Sequence, residues 1–400
     1  LKSTSVEEIN QKANQCVKCG LCLNHCPTFQ VTQDENRSPR GRIALIQAVN
    51  THTLPVTDKL ITHLDSCLQC LACESVCPAE VDYQALIKHA HETIVPPSPL
   101  PWFYRLVTQP NTRYVLQGLL WLQDSLGFRK LARNLGFIKK LKLTLYDALL
   151  PKVPRPFYLR DWYPTTSTSS KERRTVTLWC GCITPLTQPQ LIQRTITLLN
   201  RLDYDVRLAK VCCGALWSHT GNTKQAENLY QQHQAFKEND NEPWISLNSG
   251  CGAHLTQIHK KPVQDISHFL LEHKAILRSQ LKSLVRPVTL HTPCTLHYPL
   301  AAGSAPYQLL SLIPNLQITS LNPSGTCCGG AGYAMLKYPE QAARILDQYA
   351  FERDASSMQV VATSNTGCLL HLRQYAHSRN VKMQLLHPVD CLYLALQTIK

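Results

Sequence analysis

The sequence predicts a multidomain α+β protein. A helical cysteine-rich unit at residues 1–95 is followed by a helical linker region at 96–174 and a duplicated α/β unit at 175–287 and 288–400. Three observations predict this. One cysteine run occurs twice, as Cys16-x2-Cys19-x2-Cys22-x3-Cys26-Pro27 and as Cys67-x2-Cys70-x2-Cys73-x3-Cys77-Pro78. The stretch Pro96-Pro97-Ser98-Pro99-Leu100-Pro101 then reads as a linker. Beyond residue 175, short β-type runs alternate with helical stretches, and the pattern is repeated once.

Each cysteine run has the form of a bacterial ferredoxin ligand run for a [4Fe–4S] cluster, and two of them make a dicluster ferredoxin-like module. In that arrangement the fourth cysteine of each run ligates the other cluster. Cys16, Cys19, Cys22 and Cys77 are therefore assigned to one cluster, and Cys67, Cys70, Cys73 and Cys26 to the second. Three thiolates spaced two residues apart wrap one face of a cube, and the fourth comes from elsewhere. Pro27 and Pro78 turn the chain away after it. Zinc sites usually use C-x2-C pairs rather than a triplet closed by C-x3-C-P. Two clusters held close together form a path for single electrons. Within this unit, helices are expected over 6–15, 43–50, 57–64 and 83–94, with Arg37-Ser38-Pro39-Arg40-Gly41-Arg42 between the two runs.

Composition narrows the class further. Four hundred residues, 44% of them hydrophobic, can bury two or three domain cores. No run of 18 apolar residues is long enough to span a bilayer. Residues 1–15 are polar and charged, without the apolar segment of a secretory signal. Eighteen cysteines in a chain read as cytoplasmic point to metal or redox chemistry rather than to disulfides. The chain begins at Leu1 rather than Met, which implies that a residue or more is missing from its start.

Positive charge is concentrated in the linker region. Residues 95–174 hold 14 Lys and Arg against 4 Asp and Glu, so most of the formal +14 lies there. No nucleic-acid-binding motif accompanies it. Helices are expected over 113–126 and 129–150. The second sets Arg129, Lys130, Arg133, Lys139, Lys140 and Lys142 among Leu131, Leu135, Phe137, Ile138, Leu141, Leu143 and Leu145. That is the composition of a basic amphipathic surface helix suited to anionic lipid. A helical cap packed on the next domain has the same periodicity. A second flexible linker is expected at 165–170.

The C-terminal unit repeats itself in register. Val176-Thr-Leu-Trp-Cys-Gly-Cys182 aligns with Val288-Thr-Leu-His-Thr-Pro-Cys294, and Cys212-Cys213-Gly214 aligns with Cys327-Cys328-Gly329. Cys251-x2-His254 aligns with Cys368-x2-His371. Strands are expected at 176–178, 205–209, 244–247, 288–291, 317–321 and 359–363, and helices at 190–202, 224–237 and 340–353. The cysteines fall at strand ends, where sites gather in parallel sheets. Cys182, Cys212, Cys213 and Cys251, and likewise Cys294, Cys327, Cys328 and Cys368, are candidates for a further metal or redox centre. A further iron–sulfur centre, a zinc site, a reducible thiol pair and a relic that only packs all fit this spacing. The strength of the repeat favours a metal centre in at least one half.

Taken together, these residues resemble the glycolate oxidase iron–sulfur subunits over essentially the whole chain. The marks are the two cluster runs, Ser38-Pro39-Arg40-Gly41-Arg42, Cys212-Cys213-Gly214-Ala215, His291-Thr292-Pro293-Cys294 and Cys327-Cys328-Gly329. The Cys-Cys-Gly domains alone are shared with heterodisulfide reductase subunits, lactate-utilisation subunits and the C subunit of anaerobic glycerol-3-phosphate dehydrogenase. In the heterodisulfide reductase form the domain ends in Cys-x2-Cys, whereas here it ends in Cys-x2-His. The resemblance implies an electron-transfer subunit with no catalytic residue of its own. FAD and the substrate would sit on partner subunits. Electrons would pass through two [4Fe–4S] clusters to a membrane quinone, and the chain would lie peripherally on the inner face of the cytoplasmic membrane. No G-x-G-x-x-G follows a strand, in keeping with flavin bound elsewhere. The alternatives are the glycerol-3-phosphate dehydrogenase C subunit, a heterodisulfide-reductase-like thiol enzyme, and a redox sensor.

Overall fold

The computed structural model describes residues 5–97, 102–140, 147, 152–156, 158–165, 174–236, 242–322, 325–350 and 359–397. Its N-terminal unit is built on short, well-capped helices. Helix α1 (Val6–Asn14) starts where the Ser5 side chain accepts from the Glu8 amide. Helix α2 (Pro27–Thr32) begins directly after Cys26, with Pro27 in its first turn. Helix α3 (Pro39–Asn50) is capped by Ser38, whose Oγ accepts from the Gly41 amide at 3.0 Å. Thr57 caps α4 (Asp58–Asp65), and Asp82 caps α5 (Tyr83–Thr93). Each cap satisfies an amide that the helix itself leaves open. Ile9, Ala13, Ile43, Ile46, Leu64, Leu86, Ile87 and Ala90 close over one another to form the core.

The two cysteine runs share a backbone as well as a spacing. Lys18 and Gln69 occupy the same place in the two runs and have φ of 56° and 51°. Gly20 and Leu71 form a second matched pair, with φ of 86° and 62°. Left-handed turns at these places bend a short segment back on itself, so that successive cysteines face one cavity. At Leu71 the conformation carries a side-chain penalty of about 1–2 kcal/mol.

Helices α6 (Trp102–Thr108) and α7 (Pro110–Ser125) follow, then α8 (Phe128–Asn134) and α9 (Phe137–Lys140). The single helix expected over 129–150 is interrupted. Gly136 takes φ of 71°, which no helix interior accommodates, and separates α8 from α9. Residues 141–146 and 148–150 of that expectation lie outside the described residues, as do 98–101 and 166–170 of the two linkers.

The repeat forms two sheets of like topology. Strands β1 (Trp162–Tyr163), β2 (Arg174–Trp179), β3 (Tyr204–Ala209), β4 (Trp244–Ser246) and β5 (Val263–Asp265) lie in the order β1-β3-β2-β4-β5. Strands β6 (Pro287–His291), β7 (Gln317–Ser320), β8 (Val360–Thr363) and β9 (Gln384–Leu386) lie in the order β7-β6-β8-β9. Strands β2 to β5 pair in parallel, as do β6 to β9. Strand β1 comes from the linker region and pairs antiparallel on the first sheet's edge. The inner strands are largely buried on both faces, as strands covered on each side are.

The two halves share one core. Val176, Leu178, Ile192, Val206 and Ile245 of the first belong to one cluster with Val288, Leu290, Leu309, Val389 and Leu392 of the second. Asn248 Oδ1 accepts from the Thr366 amide at 2.8 Å, and Asn365 Nδ2 donates to Ser249 Oγ at 3.2 Å, so matching asparagines of the two halves each bond to the other half. The N-terminal unit docks on the repeat through polar contacts. Tyr338 Oη donates to Asp65 Oδ2 at 2.7 Å, and Lys337 pairs with the same carboxylate at 2.5 Å. Gln341 accepts from Arg37 and donates to the Ser66 carbonyl, both at 3.1 Å. Helix α7 is held by Arg113, which donates to the Lys210 carbonyl at 3.0 Å, and by Gln117, which donates to the Pro185 carbonyl at 3.1 Å.

Gly41 carries a direct test of the segment between the runs. A Cβ there would lie 1.9 Å from the Glu35 carbonyl oxygen. Gly41→Ala is expected to destabilise the N-terminal unit by about 1–3 kcal/mol. Thermal unfolding by circular dichroism should record a lower transition temperature, and an unchanged one would refute the close approach.

Candidate iron–sulfur centres

The cysteines of the two runs line two adjoining cavities. Cys16, Cys19, Cys22 and Cys77 line one recess. Cys67, Cys70, Cys73 and Cys26 line a second. Each set takes its fourth cysteine from the other run. Cys73, Tyr83 and Pro39 contribute to both walls, so little more than one side-chain layer separates the two.

Burial disfavours ionisation of three of these thiols, Cys22, Cys70 and Cys73. Burial pushes Cys22 up to about 11 and raises Cys73 well above the ordinary thiol range. A soft metal reverses this, because a coordinated thiol is deprotonated outright. Several sulfurs already face donors. Cys67 Sγ lies 3.5 Å from both the Gln69 amide and Tyr83 Oη, and Cys26 Sγ lies 3.1 Å from Thr28 Oγ1. A sulfur-only donor set, largely apolar walls and nearby N–H and O–H groups fit an iron–sulfur cluster.

The Ser-Pro-Arg-Gly-Arg segment serves both cavities. Arg40 spans the mouth of the first, donating Nη1 to the Lys18 carbonyl at 2.9 Å and Nε to Glu35 Oε1 at 2.7 Å. Arg42 is 1% exposed and lines the second. It donates to the His63 carbonyl at 2.7 Å, to Thr28 Oγ1 at 3.2 Å and to Ser66 Oγ at 3.3 Å. Burial opposes its charge, but Cys67, Tyr83 and Cys26 outweigh that, and the guanidinium is held protonated. A fixed buried cation beside a cluster stabilises its more negative, reduced form.

The repeat cysteines gather at the C-terminal ends of their strands. In the first half, Cys182 faces Cys212, Cys212 adjoins Cys213, and Cys213 faces Cys251. The Gly214 amide points at Cys212 Sγ at 3.5 Å. Burial holds His254 nearby well below its ordinary value, hence neutral. In the second half, Cys294 faces Cys327, and Cys328 faces Cys368. The Gly329 and Gly330 amides each point at a cysteine sulfur at 3.4 Å. The contact with Cys368, reinforced by His291 and His371, draws the Cys328 thiol well below its usual range.

Sequence reasoning names His291 as a mark of the resemblance but not as a candidate ligand. Its Nε2 or Nδ1 and the sulfurs of Cys328 and Cys368 lie within 4.8 Å of one another. The available signal was its alignment with Trp179, an imidazole standing where the other half has an indole. Cys180 and Cys391 take no part in these groups. Both are buried, and burial pushes them up to about 11 and about 12.

Comparison with known proteins matches parts of the chain to two kinds of domain. Residues 12–81 match the 4Fe-4S dicluster domain, and residues 176–256 and 288–373 each match the cysteine-rich domain. The chain is 27% identical over 392 residues to the probable glycolate oxidase iron-sulfur subunit of Bacillus subtilis (strain 168), covering 90% of this chain and 88% of the relative. It is 28% identical over 379 residues to the glycolate oxidase iron-sulfur subunit of Escherichia coli (strain K12), covering 89% of each. Lactate utilization protein A of Bacillus pumilus (strain SAFR-032) is 24% identical over 238 residues, 54% of this chain and 98% of the relative. The chain therefore carries one match to the 4Fe-4S dicluster domain and two to the cysteine-rich domain, and over about nine-tenths of its length it is similar to proteins named glycolate oxidase iron-sulfur subunit.

Proposed function

We propose that this chain is the electron-transfer subunit of a flavin-linked oxidase of glycolate or a similar 2-hydroxy acid. FAD and the substrate sit on partner subunits, and a membrane quinone is the acceptor. The observation that carries the reading is the pair of adjoining cysteine-lined cavities with Cys73 and Tyr83 in their common wall. Bound [4Fe–4S] clusters supply reversible one-electron chemistry there. Cys16, Cys19, Cys22 and Cys77 hold one cluster, and Cys26, Cys67, Cys70 and Cys73 hold the other. The repeat cysteines Cys182, Cys212, Cys213 and Cys251, with Cys294, Cys327, Cys328 and Cys368, are the candidates for a further centre. The names of the full-length relatives favour glycolate over the other substrates considered.

The linker region is the proposed face for the membrane, with the chain peripheral on its cytoplasmic side. Among the described residues no helix is long and apolar enough to cross a membrane. Leu119, Leu122, Leu126, Phe128, Leu131, Leu135 and Phe137 on α7 to α9 are nevertheless exposed. Exposed Lys130 and Lys140 lie among them, a combination suited to an anionic interface.

Three outcomes are expected. Cys77→Ser should abolish the signal of the first cluster, although Cys77 belongs to the second run, and Cys26→Ser should abolish that of the second. Iron content and EPR of anaerobically purified protein read this directly, and loss confined to each variant's own run would refute the crossed ligation. Arg42→Gln should lower the potential of the second cluster by on the order of 100 mV and leave the first nearly unchanged, by EPR-monitored redox titration. In flotation with vesicles containing anionic lipid, the paired substitutions Leu122→Asp and Phe128→Asp should weaken binding about tenfold or more, and added salt should weaken the wild type. Equal flotation of variant and wild type would remove α7 to α9 from the membrane face.

A further inference from the structure

The two halves of the repeat carry the same four cysteines but different surroundings. At the end of β2, Trp179 is 0% exposed and packs its ring against Trp244, Phe236 and His233 at centroid separations of 5.1–5.2 Å. It fills that space with aromatic carbon. At the matching end of β6 stands His291, also 0% exposed. Its Nδ1 lies 3.0 Å from Thr363 Oγ1, which fixes the ring. Its Nε2 is buried and has no nitrogen or oxygen partner. His371, one helical turn beyond Cys368, is 1% exposed, and its Nδ1 is likewise without such a partner.

Apart from the neighbouring thiols, neither ring nitrogen has a polar partner, and two such buried nitrogens beside one pair of thiols call for an explanation. Both histidines face Cys328. One nitrogen of His291 and the sulfurs of Cys328 and Cys368 lie within 4.8 Å of one another. An imidazole anchored through one nitrogen, with the other turned toward thiols, is the arrangement of a metal-ligating histidine. The first half has no imidazole at this place, only Trp179, whose indole nitrogen cannot ligate. The other sulfurs of the second half face the N-terminal unit: Cys294 and Cys327 pack in one cluster with Leu68, Cys70 and Tyr298. Cys70 also lines the second ferredoxin-type cavity.

We propose that the second half of the repeat alone holds a further iron centre with mixed ligation, in which His291 joins Cys328 and Cys368 as a nitrogen ligand. The Cys294–Cys327 side of this centre abuts Cys70, so it stands next in line after the second cavity. Its iron, though not its ligand set, rests on the electron-transfer reading. Zinc accepts the same donors, so the metal must be identified as well as counted.

The test uses the full chain, purified anaerobically as wild type, His291→Ala and His291→Cys. Iron and zinc per chain are measured, together with pulsed EPR for nitrogen coupling in the reduced protein. The wild type should hold iron beyond that of two [4Fe–4S] clusters and show ligand-type nitrogen coupling. His291→Ala should lose both while keeping the two ferredoxin-type signals. His291→Cys should keep the additional iron and lose the coupling, which a merely structural role would not produce. No additional iron in the wild type, zinc in its place, or nitrogen coupling that survives in His291→Ala would overturn the proposal. Absence of the ferredoxin-type signals alongside His291-dependent coupling would overturn the electron-transfer reading and leave this site standing.

Discussion

An ionised thiolate removed from water is costly unless something positive binds it, and this chain gathers its thiols in two small adjoining cavities. Much of the N-terminal unit answers that constraint. Matched left-handed turns at Lys18 and Gln69, and at Gly20 and Leu71, fold each run around its cavity. Caps at Ser5, Ser38, Thr57 and Asp82 let short helices start where the cavities need their walls. Arg42 brings a cation into a place where an isolated one would not be tolerated, and the neighbouring sulfurs and carbonyls account for its presence.

The repeat solves a different problem. A four-residue strand cannot bury enough surface alone, so the halves lend each other helices. The helix Pro388–Gln397 of the second half packs on Pro189–Arg201 of the first, and one apolar cluster runs through both. The symmetry that builds this core does not extend to the strand ends. Duplication supplied two equivalent cysteine sets, and single substitutions such as Trp179 against His291 made their surroundings unequal.

How much of this could be read from residues alone depended on the range of the signal. Cysteine spacing is local, and the sets it suggested line the two cavities. The alternation of strands and helices across the repeat was legible because β2, β3 and β6 are five or six residues long and set apolar residues at alternate positions. Strands β5 and β9 were not foreseen, since three residues are too few to show a period. Strand β1 is two residues held by tertiary pairing, with no pattern of its own. The break at Gly136 was visible as a glycine, but amphipathic periodicity on both sides of it suggested continuity. Burial of Arg42 and the orientation of His291 depend on neighbours distant in sequence, which spacing does not encode.

The latch at Asp65 bears on how fast such a molecule can work. This carboxylate belongs to the N-terminal unit, yet Tyr338 and Lys337 of the second half both hold it, and Gln341 bridges Arg37 and Ser66 close by. Units joined by a loose tether would have to collide and reorient before each transfer, and the rate would follow that search. Units clamped at several points keep donor and acceptor at one separation. With the proposed centre in the second half, transfer across this junction would be governed by tunnelling distance and driving force, and a stiff protein environment would keep the reorganisation energy small. Loosening the clamp would make turnover sensitive to solvent viscosity, a dependence that a rigid conductor does not have.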